Sequence, residues 1–205
     1  MAISDILNSS DTSQVNIEML VIYFCTYRII GGMKYSMLDE PRASEALMGF
    51  ADKLIEHDIP CSGFQMSSGY TISQKPPHTR NVFTWNRHRF PDPAGFIKAF
   101  DERGIKLMMN IKPYLMSTHP CYAQLVKEGA LFTDPKTNST AVARLWSAGG
   151  GESAEGGHLD LSSEAGFKWW YEGVKELREM GVACMWNDNN EVRLSRMLIG
   201  INTDS

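Results

Sequence analysis

The chain has 205 residues, of which 43% are hydrophobic and 21% are charged, so it contains enough apolar material for one sizeable globular core. A net charge of −4 argues against nucleic acid or an anionic membrane surface as a partner, because both normally require a basic face. The longest apolar stretch, around Met19 to Tyr27, is too short to span a bilayer.

The N-terminal residues and the cysteines give expectations about location and cofactors. The polar, acidic N-terminus does not resemble a signal peptide, and this favours the cytoplasm. The four cysteines form no Cys-x-x-Cys pair, which argues against a zinc or redox motif. We expect free thiols, with Cys61 and Cys184 buried in apolar strands, and neither a metal nor a cofactor.

The first predicted elements are a leader, a strand, a helix and a second strand. Residues 1–16 are rich in Ser, Asp, Asn and Thr and predict a disordered leader, so that one domain covers 17–205. The β-branched and aromatic stretch Ile17–Tyr27 predicts a strand. Pro41 suits the first turn of a helix that ends near His57, and Cys61–Met66 predicts the second strand. The apolar stripe of this helix includes Ala43, Leu47, Phe50 and Leu54.

A long loop, Ser67–Arg89, separates the second strand from the next helix. Asp92 and Pro93 predict the start of that helix, and Gly104 predicts its end. Strand Ile105–Ile111 follows. The residues after it are predicted to be irregular.

The last predicted elements lead to the end of a buried strand. The segment Ala141–Gly157 is glycine-rich and predicts a loop. Ser162 or Ser163 can cap a helix that ends at Gly181. The inner face of this helix is predicted to be Phe167, Trp170, Val174 and Leu177. Strand Val182–Trp186 follows, and the alternation of strands and helices indicates an α/β fold with a parallel sheet.

An abrupt change from apolar to polar residues marks the candidate site. In parallel sheets, active groups gather beyond the carboxyl ends of strands, where Asp188 is expected. The neighbouring amides Asn187 and Asn189 can donate hydrogen bonds that keep a carboxylate ionised. An ionised carboxylate beside the indole of Trp186 suits attack on a sugar oxocarbenium ion. Two alternatives are a polar loop in which Asp188 is a cap, and an oxygen-ligand metal site, which would lack the spacing of a calcium loop.

Several motifs, in order between about Tyr35 and Glu191, resemble glycoside hydrolase family 31, the α-glucosidase and α-xylosidase family. The stretch Trp186–Glu191 is similar to the family's nucleophile signature. The other matching segments are Phe83-Thr84-Trp85-Asn86 with Arg89–Pro93, Asn110-Ile111-Lys112-Pro113, and Leu159–Ser162 with Trp169-Trp170. The resemblance implies a TIM (β/α)8 barrel and a retaining α-glycosidase acting on a carbohydrate.

The resemblance also implies roles for individual residues. Asp188 would be the nucleophile. The substrate-contacting positions would be Trp186, Trp146, Gln65 and Asn189. Asn190 and Glu191 would support the loop, with Glu191 as the general acid a less favoured alternative. Trp85 is expected to be a structural plug rather than a sugar contact. Surface positions are expected for His78, His88, His119 and His158.

Three departures from the family pattern bear on function. Lys112 replaces a common Asp, and Gln65 lacks the charge usual at the end of its strand, which affects sugar specificity. The chain supplies only four predicted strands, and the family's acid/base Asp follows strand six. We therefore expect a partial barrel of about four βα units, inactive alone, with the other barrel half or a second copy as partner. The alternatives are a carbohydrate-binding pseudoenzyme and a non-functional fragment.

Overall fold

The computed structural model describes residues 29–30, 42–146 and 153–188. The predicted leader at 1–16, the predicted strand Ile17–Tyr27 and the helix-starting Pro41 lie outside these ranges. Within them, no helix is both long enough and apolar enough to cross a membrane.

A four-stranded parallel sheet is the framework of the chain. Its strands are β1 (Ile29–Ile30), β2 (Gly63–Met66), β3 (Lys106–Ile111) and β9 (Cys184–Asn187), in the order β1-β2-β3-β9. All three neighbouring pairs are parallel. The three strands predicted within the described ranges are thereby confirmed, each beginning slightly later than the sequence indicated.

Three helices cross between these strands: α1 (Ala43–Glu56), α2 (Pro93–Glu102) and α4 (Glu164–Glu179). Their predicted ends are confirmed by local chemistry. The Asp92 carboxylate accepts a hydrogen bond from the Gly95 N–H at 3.0 Å and caps α2. The Ser163 hydroxyl oxygen accepts one from the Gly166 N–H at 3.0 Å and caps α4. Gly181 follows α4 with a φ of 102°, which a residue with a side chain rarely adopts.

The two faces of the parallel sheet carry different residues, because side chains alternate along a strand. One face packs on the helices and forms the core, which includes Phe64, Met66, Leu107, Met109 and Ile111. The register pairs Gln65 with Met108 and Asn110 with Trp186 on the opposite face. That second face carries the polar side chains from which the candidate site is built.

The stretch after β3 is not irregular, which corrects the sequence-based expectation. Strands β4 (Tyr114–Met116), β7 (Ala143–Trp146) and β8 (Ser153–His158) form an antiparallel sheet in the order β4-β8-β7. The stretch also contains α3 (Tyr122–Lys127) and the hairpin strands β5 (Thr133–Asp134) and β6 (Ser139–Thr140). The glycines suggested a loop, but Gly156 serves close strand packing. A Cβ there would lie 2.1 Å from the Leu115 carbonyl oxygen.

Two residues predicted to be buried are exposed. Phe167 was expected on the inner face of α4, but it is 60% exposed, while Gly166, Gly173 and Leu177 are buried. Gly173 lies inward because the Phe83 ring occupies the space that a Cβ would need. Cys184 is exposed because it lies on the sheet face opposite the helices.

Candidate active site

Asp188 lies at the carboxyl end of a parallel strand, as the sequence predicted. It directly follows β9, and its N–H donates to the carbonyl of Ile111 at 3.0 Å, which extends the ladder between β3 and β9 by one bond. Its side chain is 30% exposed. A partly buried carboxylate on a fixed backbone, open on one side, is thus presented at the end of the sheet.

Two side chains of β3 and its end hold the Asp188 carboxylate. The Asn110 amide donates to Oδ2 at 2.9 Å, and the Lys112 ammonium forms an ion pair with the same oxygen. Asn110 and Lys112 are two residues apart, so both project from the same face of the sheet. A positive charge and an amide donor at this distance favour the ionised form of a carboxylate.

The expectation of amide donors beside Asp188 is wrong for Asn187, while Asn189 lies outside the described residues. Asn187 directly precedes Asp188, but it pairs with Ile111 and is exposed on the other face. Neighbours along a strand point in opposite directions, and the donors to Asp188 come instead from Asn110 on β3 and from Lys112, the residue that follows β3. The polar residues at alternate positions of Asn110-Ile111-Lys112 are the signal that could have identified them.

A buried tyrosine supports this part of β3. The Tyr70 hydroxyl donates to the carbonyl of Asn110 at 2.9 Å, and Tyr70 is fully buried. Burial raises the pKa of Tyr70 far above its usual range, so the hydroxyl stays protonated and remains a donor. The Trp85 ring packs against Tyr70 with a centroid distance of 4.7 Å and belongs to the core, which confirms its predicted structural position.

Two buried polar atoms beside Asp188 have no hydrogen-bond partner within the described ranges. They are the Asn110 Oδ1 acceptor and the Trp186 Nε1 donor. Their residues are partners in the β3–β9 register, so an acceptor and a donor lie on adjacent strands. A cavity of about 10 Å³, lined partly by Asn110, Lys112 and Arg80, has room for about one water molecule.

The remaining predicted site residues are only partly brought together. Gln65 lies on the same sheet face as Asp188, but its register level through Met108 is that of Cys184. That level is four residues before Asp188, or roughly 13 Å along a strand. Trp146 is the last residue of β7, in the antiparallel sheet β4-β8-β7 that follows β3 in the chain. The side chain of Trp146, and all of Asn189, Asn190 and Glu191, lie outside the described part of the chain.

One histidine expected at the surface is buried. His119 is 5% exposed; its Nε2 donates to the Val82 carbonyl at 2.9 Å, and its Nδ1 accepts from the Cys121 N–H at 3.0 Å. Burial lowers the pKa of His119, while the bond to Val82 acts in the opposite direction. This neutral histidine joins two loops. Across residues 42–146 and 153–188, no three His, Cys, Asp or Glu side chains are grouped to hold a metal ion.

The sequence model of the glycosyl hydrolases family 31 TIM-barrel domain matches residues 31–200. The order of the motifs and the parallel sheet with a carboxylate at its edge agree with this match. The chain belongs to glycosyl hydrolase family 31. The family resemblance of the sequence motifs and the TIM-barrel fold class are thereby confirmed.

The chain is similar in sequence to two curated enzymes. The chain is 28% identical over 149 residues to alpha-xylosidase XylQ of Lactiplantibacillus pentosus, covering 73% of this chain and 18% of the relative. It is 26% identical over 161 residues to alpha-glucosidase 2 of Bacillus thermoamyloliquefaciens, covering 77% and 18%. The chain thus spans less than a fifth of the length of these relatives.

Solved structures support the same fold. The GH31 alpha-xylosidase from Xanthomonas citri matches with a TM-score of 0.56 and 20% identity, covering 75% of this chain and 16% of that one. The GH31 dextranase of Flavobacterium johnsoniae, complexed with glucose, matches with a TM-score of 0.56 and 19% identity, covering 71% and 17%. At identities of 19% and 20%, these matches show the fold of this chain.

Proposed function

We propose that this chain is the nucleophile-bearing part of the catalytic barrel of a retaining α-glycosidase, which hydrolyses O-glycosidic bonds with Asp188 as nucleophile. The observation that carries the proposal is the position of Asp188 at the end of β9, with its carboxylate bound by Asn110 and Lys112. Family membership gives this arrangement its chemical class. A carboxylate kept ionised is ready to attack an anomeric carbon.

The proposed reaction has two steps. A carboxylate oxygen of Asp188 bonds to the anomeric carbon while the bond to the leaving oxygen breaks, giving a glycosyl ester. Water then displaces Asp188 with retention of configuration. The acid/base carboxyl, which protonates the leaving oxygen and later activates water, comes in this proposal from strands beyond the four described here.

The proposed substrate is an α-linked glucose or xylose unit. Curated relatives are named alpha-xylosidase and alpha-glucosidase. Trp186 lies two residues before Asp188 on the same sheet face, and its indole ring suits contact with a pyranose. Trp146, Gln65 and Asn189 remain proposed sugar contacts, and Asn190 and Glu191 remain proposed supports of the loop.

We also propose that residues 17–205 form about the first four βα units of an eight-stranded barrel. In the described ranges, β9 pairs with β3 on one side only, and the sheet face with Asn110 and Trp186 carries no crossover helix. The remaining strands, from the other barrel half or from a second copy, would cover that face and complete the pocket. General acid catalysis is typically worth about 10²–10⁴-fold, so we expect the 205-residue chain alone to show no appreciable turnover.

Activated glycosyl fluorides test the nucleophile without the acid. Fluoride leaves without protonation by a general acid. Labelling of the chain by 5-fluoro-α-glucosyl or 5-fluoro-α-xylosyl fluoride should therefore require the nucleophile and not the acid. We expect a mass increase of one fluorosugar, located at Asp188 by peptide mapping. The label should be absent in Asp188→Asn and retained in Asp101→Asn, a control at an exposed aspartate.

Two results would contradict this function. Labelling that persists in Asp188→Asn would assign the nucleophile elsewhere. Sugar binding without labelling would favour the carbohydrate-binding pseudoenzyme. Turnover of aryl α-glucosides by the isolated chain, abolished in Asp188→Asn, would instead show that an acid/base lies within these residues and overturn the partial-barrel proposal.

A further inference from the structure

The side chain of Lys112 is charged, yet it is only 4% exposed. Burying an ammonium and ordering its four-carbon stem are both costly, so a lysine in this position is expected to have a compensating partner. Its ion pair with the Asp188 Oδ2 supplies that partner. Lys112 therefore belongs to the environment of the nucleophile rather than to a solvated surface.

The sheet register fixes this ion pair. Asn110 pairs with Trp186 in the ladder, and the Asp188 N–H continues it by binding the Ile111 carbonyl. The next positions on the two strands, Lys112 and Asp188, therefore lie opposite each other on one face, at strands about 4.8 Å apart. Asn110 donates to the same carboxylate oxygen. Two donors on one oxygen restrict rotation of the carboxylate, so they orient it.

The proposed reaction changes the charge of only one partner. When Asp188 attacks, its carboxylate becomes a neutral ester and the leaving group departs with its electron pair. Lys112 keeps its proton and its positive charge, and it loses the negative charge opposite. A buried ion pair is strongest where water is excluded, so Lys112 stabilises the free carboxylate more than the ester. Release of the sugar restores the pair.

We propose that Lys112 is a positioning residue that orients Asp188 and accelerates breakdown of the glycosyl-enzyme ester by favouring return of the carboxylate. This inference rests on the proposed function of Asp188. It assigns Lys112 to the second step of the reaction, where Asp188 is the leaving group, and not to sugar specificity.

The test separates formation from breakdown of the ester. The full chain is labelled with 5-fluoro-α-glucosyl or 5-fluoro-α-xylosyl fluoride, the reagent is removed, and sodium azide is added as acceptor. Azide attacks the anomeric carbon without a general base, forming the glycosyl azide and releasing the Asp188 carboxylate. Intact-mass spectrometry follows both rates. The variants are Lys112→Met, which has a similar length and no charge, and Lys112→Arg, which keeps the charge.

A matched control lies on the same strand. Lys106 begins β3, forms an ion pair with Asp101 and is 59% exposed. Lys106→Met should therefore label and release the sugar as the unaltered chain does. Lys112→Met should slow ester formation only slightly, because Asn110 still donates to the carboxylate. It should slow release of the sugar at least about tenfold, since a lost buried charge partner has a large effect. Lys112→Arg should restore most of the release rate.

Each other outcome identifies what fails. Absence of labelling in the unaltered chain would overturn the proposed function itself. Labelling at Asp188 with equal release rates in the unaltered chain and Lys112→Met would overturn this inference alone, as would a parallel fall in both rates, which indicates a structural role. Should Lys112→Met not fold, Lys112→Gln, which keeps a donor and lacks the charge, provides the same comparison with the same contradicting outcomes.

Discussion

The hydroxyl of Tyr70 donates a hydrogen bond to the main-chain carbonyl of Asn110, with an oxygen–oxygen distance of 2.9 Å. Tyr70 lies in the short 3-10 helix Ser68–Thr71 after β2, and Asn110 is the residue of β3 whose amide holds Asp188. The loop after β2 is thus bonded to β3 at the residue whose side chain holds the candidate nucleophile.

Removing this hydroxyl should destabilise the fold. Tyr70→Phe leaves a buried carbonyl without its side-chain donor, and we expect the free energy of unfolding to fall by about 1–3 kcal/mol. Urea denaturation followed by circular dichroism measures the change. Tyr171→Phe is the matched control because Tyr171 is 54% exposed, and it should change stability by less than about 0.5 kcal/mol. Equal effects of the two substitutions would contradict a role for the buried bond.

A second prediction concerns the contact between Gly173 and Phe83. A Cβ on Gly173 would lie 2.3 Å from the Phe83 ring, which is itself enclosed by Trp169 and Trp170. Gly173→Ala should therefore destabilise the chain by about 1–3 kcal/mol through overpacking. Gly49 offers the opposite case within α1, since nothing lies within 4 Å of its added Cβ.

Gly49→Ala should stabilise the chain by about 0.5–1 kcal/mol, because alanine has the higher helix propensity. Thermal unfolding of both variants is the measurement. A stabilising Gly173→Ala would mean that the Phe83 ring moves aside without cost.

A third prediction is a loss of stability in mild acid. Burial lowers the pKa of His119 and of His158, so the unfolded chain binds protons at a higher pH than the folded chain does. The free energy of unfolding is therefore highest above the histidine pKa of the unfolded chain, near 6.5. It falls as the pH decreases through that value toward the lower pKa of the folded chain. Urea denaturation at pH 7.5 and pH 5.5 should show the lower stability at pH 5.5.

His119→Gln should reduce this dependence on pH, while His57→Gln, at an exposed position, should leave it unchanged. A dependence that is identical in His119→Gln and the unaltered chain would assign the effect to other groups.

A fourth prediction concerns the cap of α2. Asp92→Ala removes the acceptor for the Gly95 N–H and should cost about 1 kcal/mol, whereas Asp92→Asn keeps a capping oxygen and should cost much less. Chemical denaturation of the two variants gives the comparison. Equal losses would show that the charge near the helix N-terminus, and not the hydrogen bond, provides the stabilisation.

Local chemistry determined which parts of the fold were predictable. The start of α2 at Asp92-Pro93 and the position of Asp188 depend on neighbours in sequence and were predicted correctly, and the cap of α4 is Ser163, one of the two serines that the sequence indicated. The sheet β4-β8-β7 was missed because glycines that permit close strand packing look the same as glycines in a loop. The face of α4 was misplaced at Phe167 because the inward position of Gly173 depends on the distant Phe83 ring.

The environment of Asp188 was less predictable for a related reason. Its donors, Asn110 and Lys112, lie 78 and 76 positions away in sequence and are brought close only by the register of β3 and β9. The amides next to Asp188 were the nearest candidates in sequence, and the alternation of the strand turns Asn187 away. Register between distant strands is a tertiary property that local pattern does not contain.

The antiparallel sheet begins immediately after Lys112, since only Pro113 separates it from β4 (Tyr114–Met116). The Pro113 carbonyl accepts a hydrogen bond from the Leu159 N–H at 3.0 Å. The first residue before the antiparallel sheet and the first residue after it are therefore bonded to each other. Because the antiparallel sheet joins the parallel sheet at this one point, its strands and loops can change in length or sequence while the pairing of β3 with β9 stays intact. A change in the length or sequence of this antiparallel sheet can therefore leave the position of Asp188 at the end of β9 unchanged.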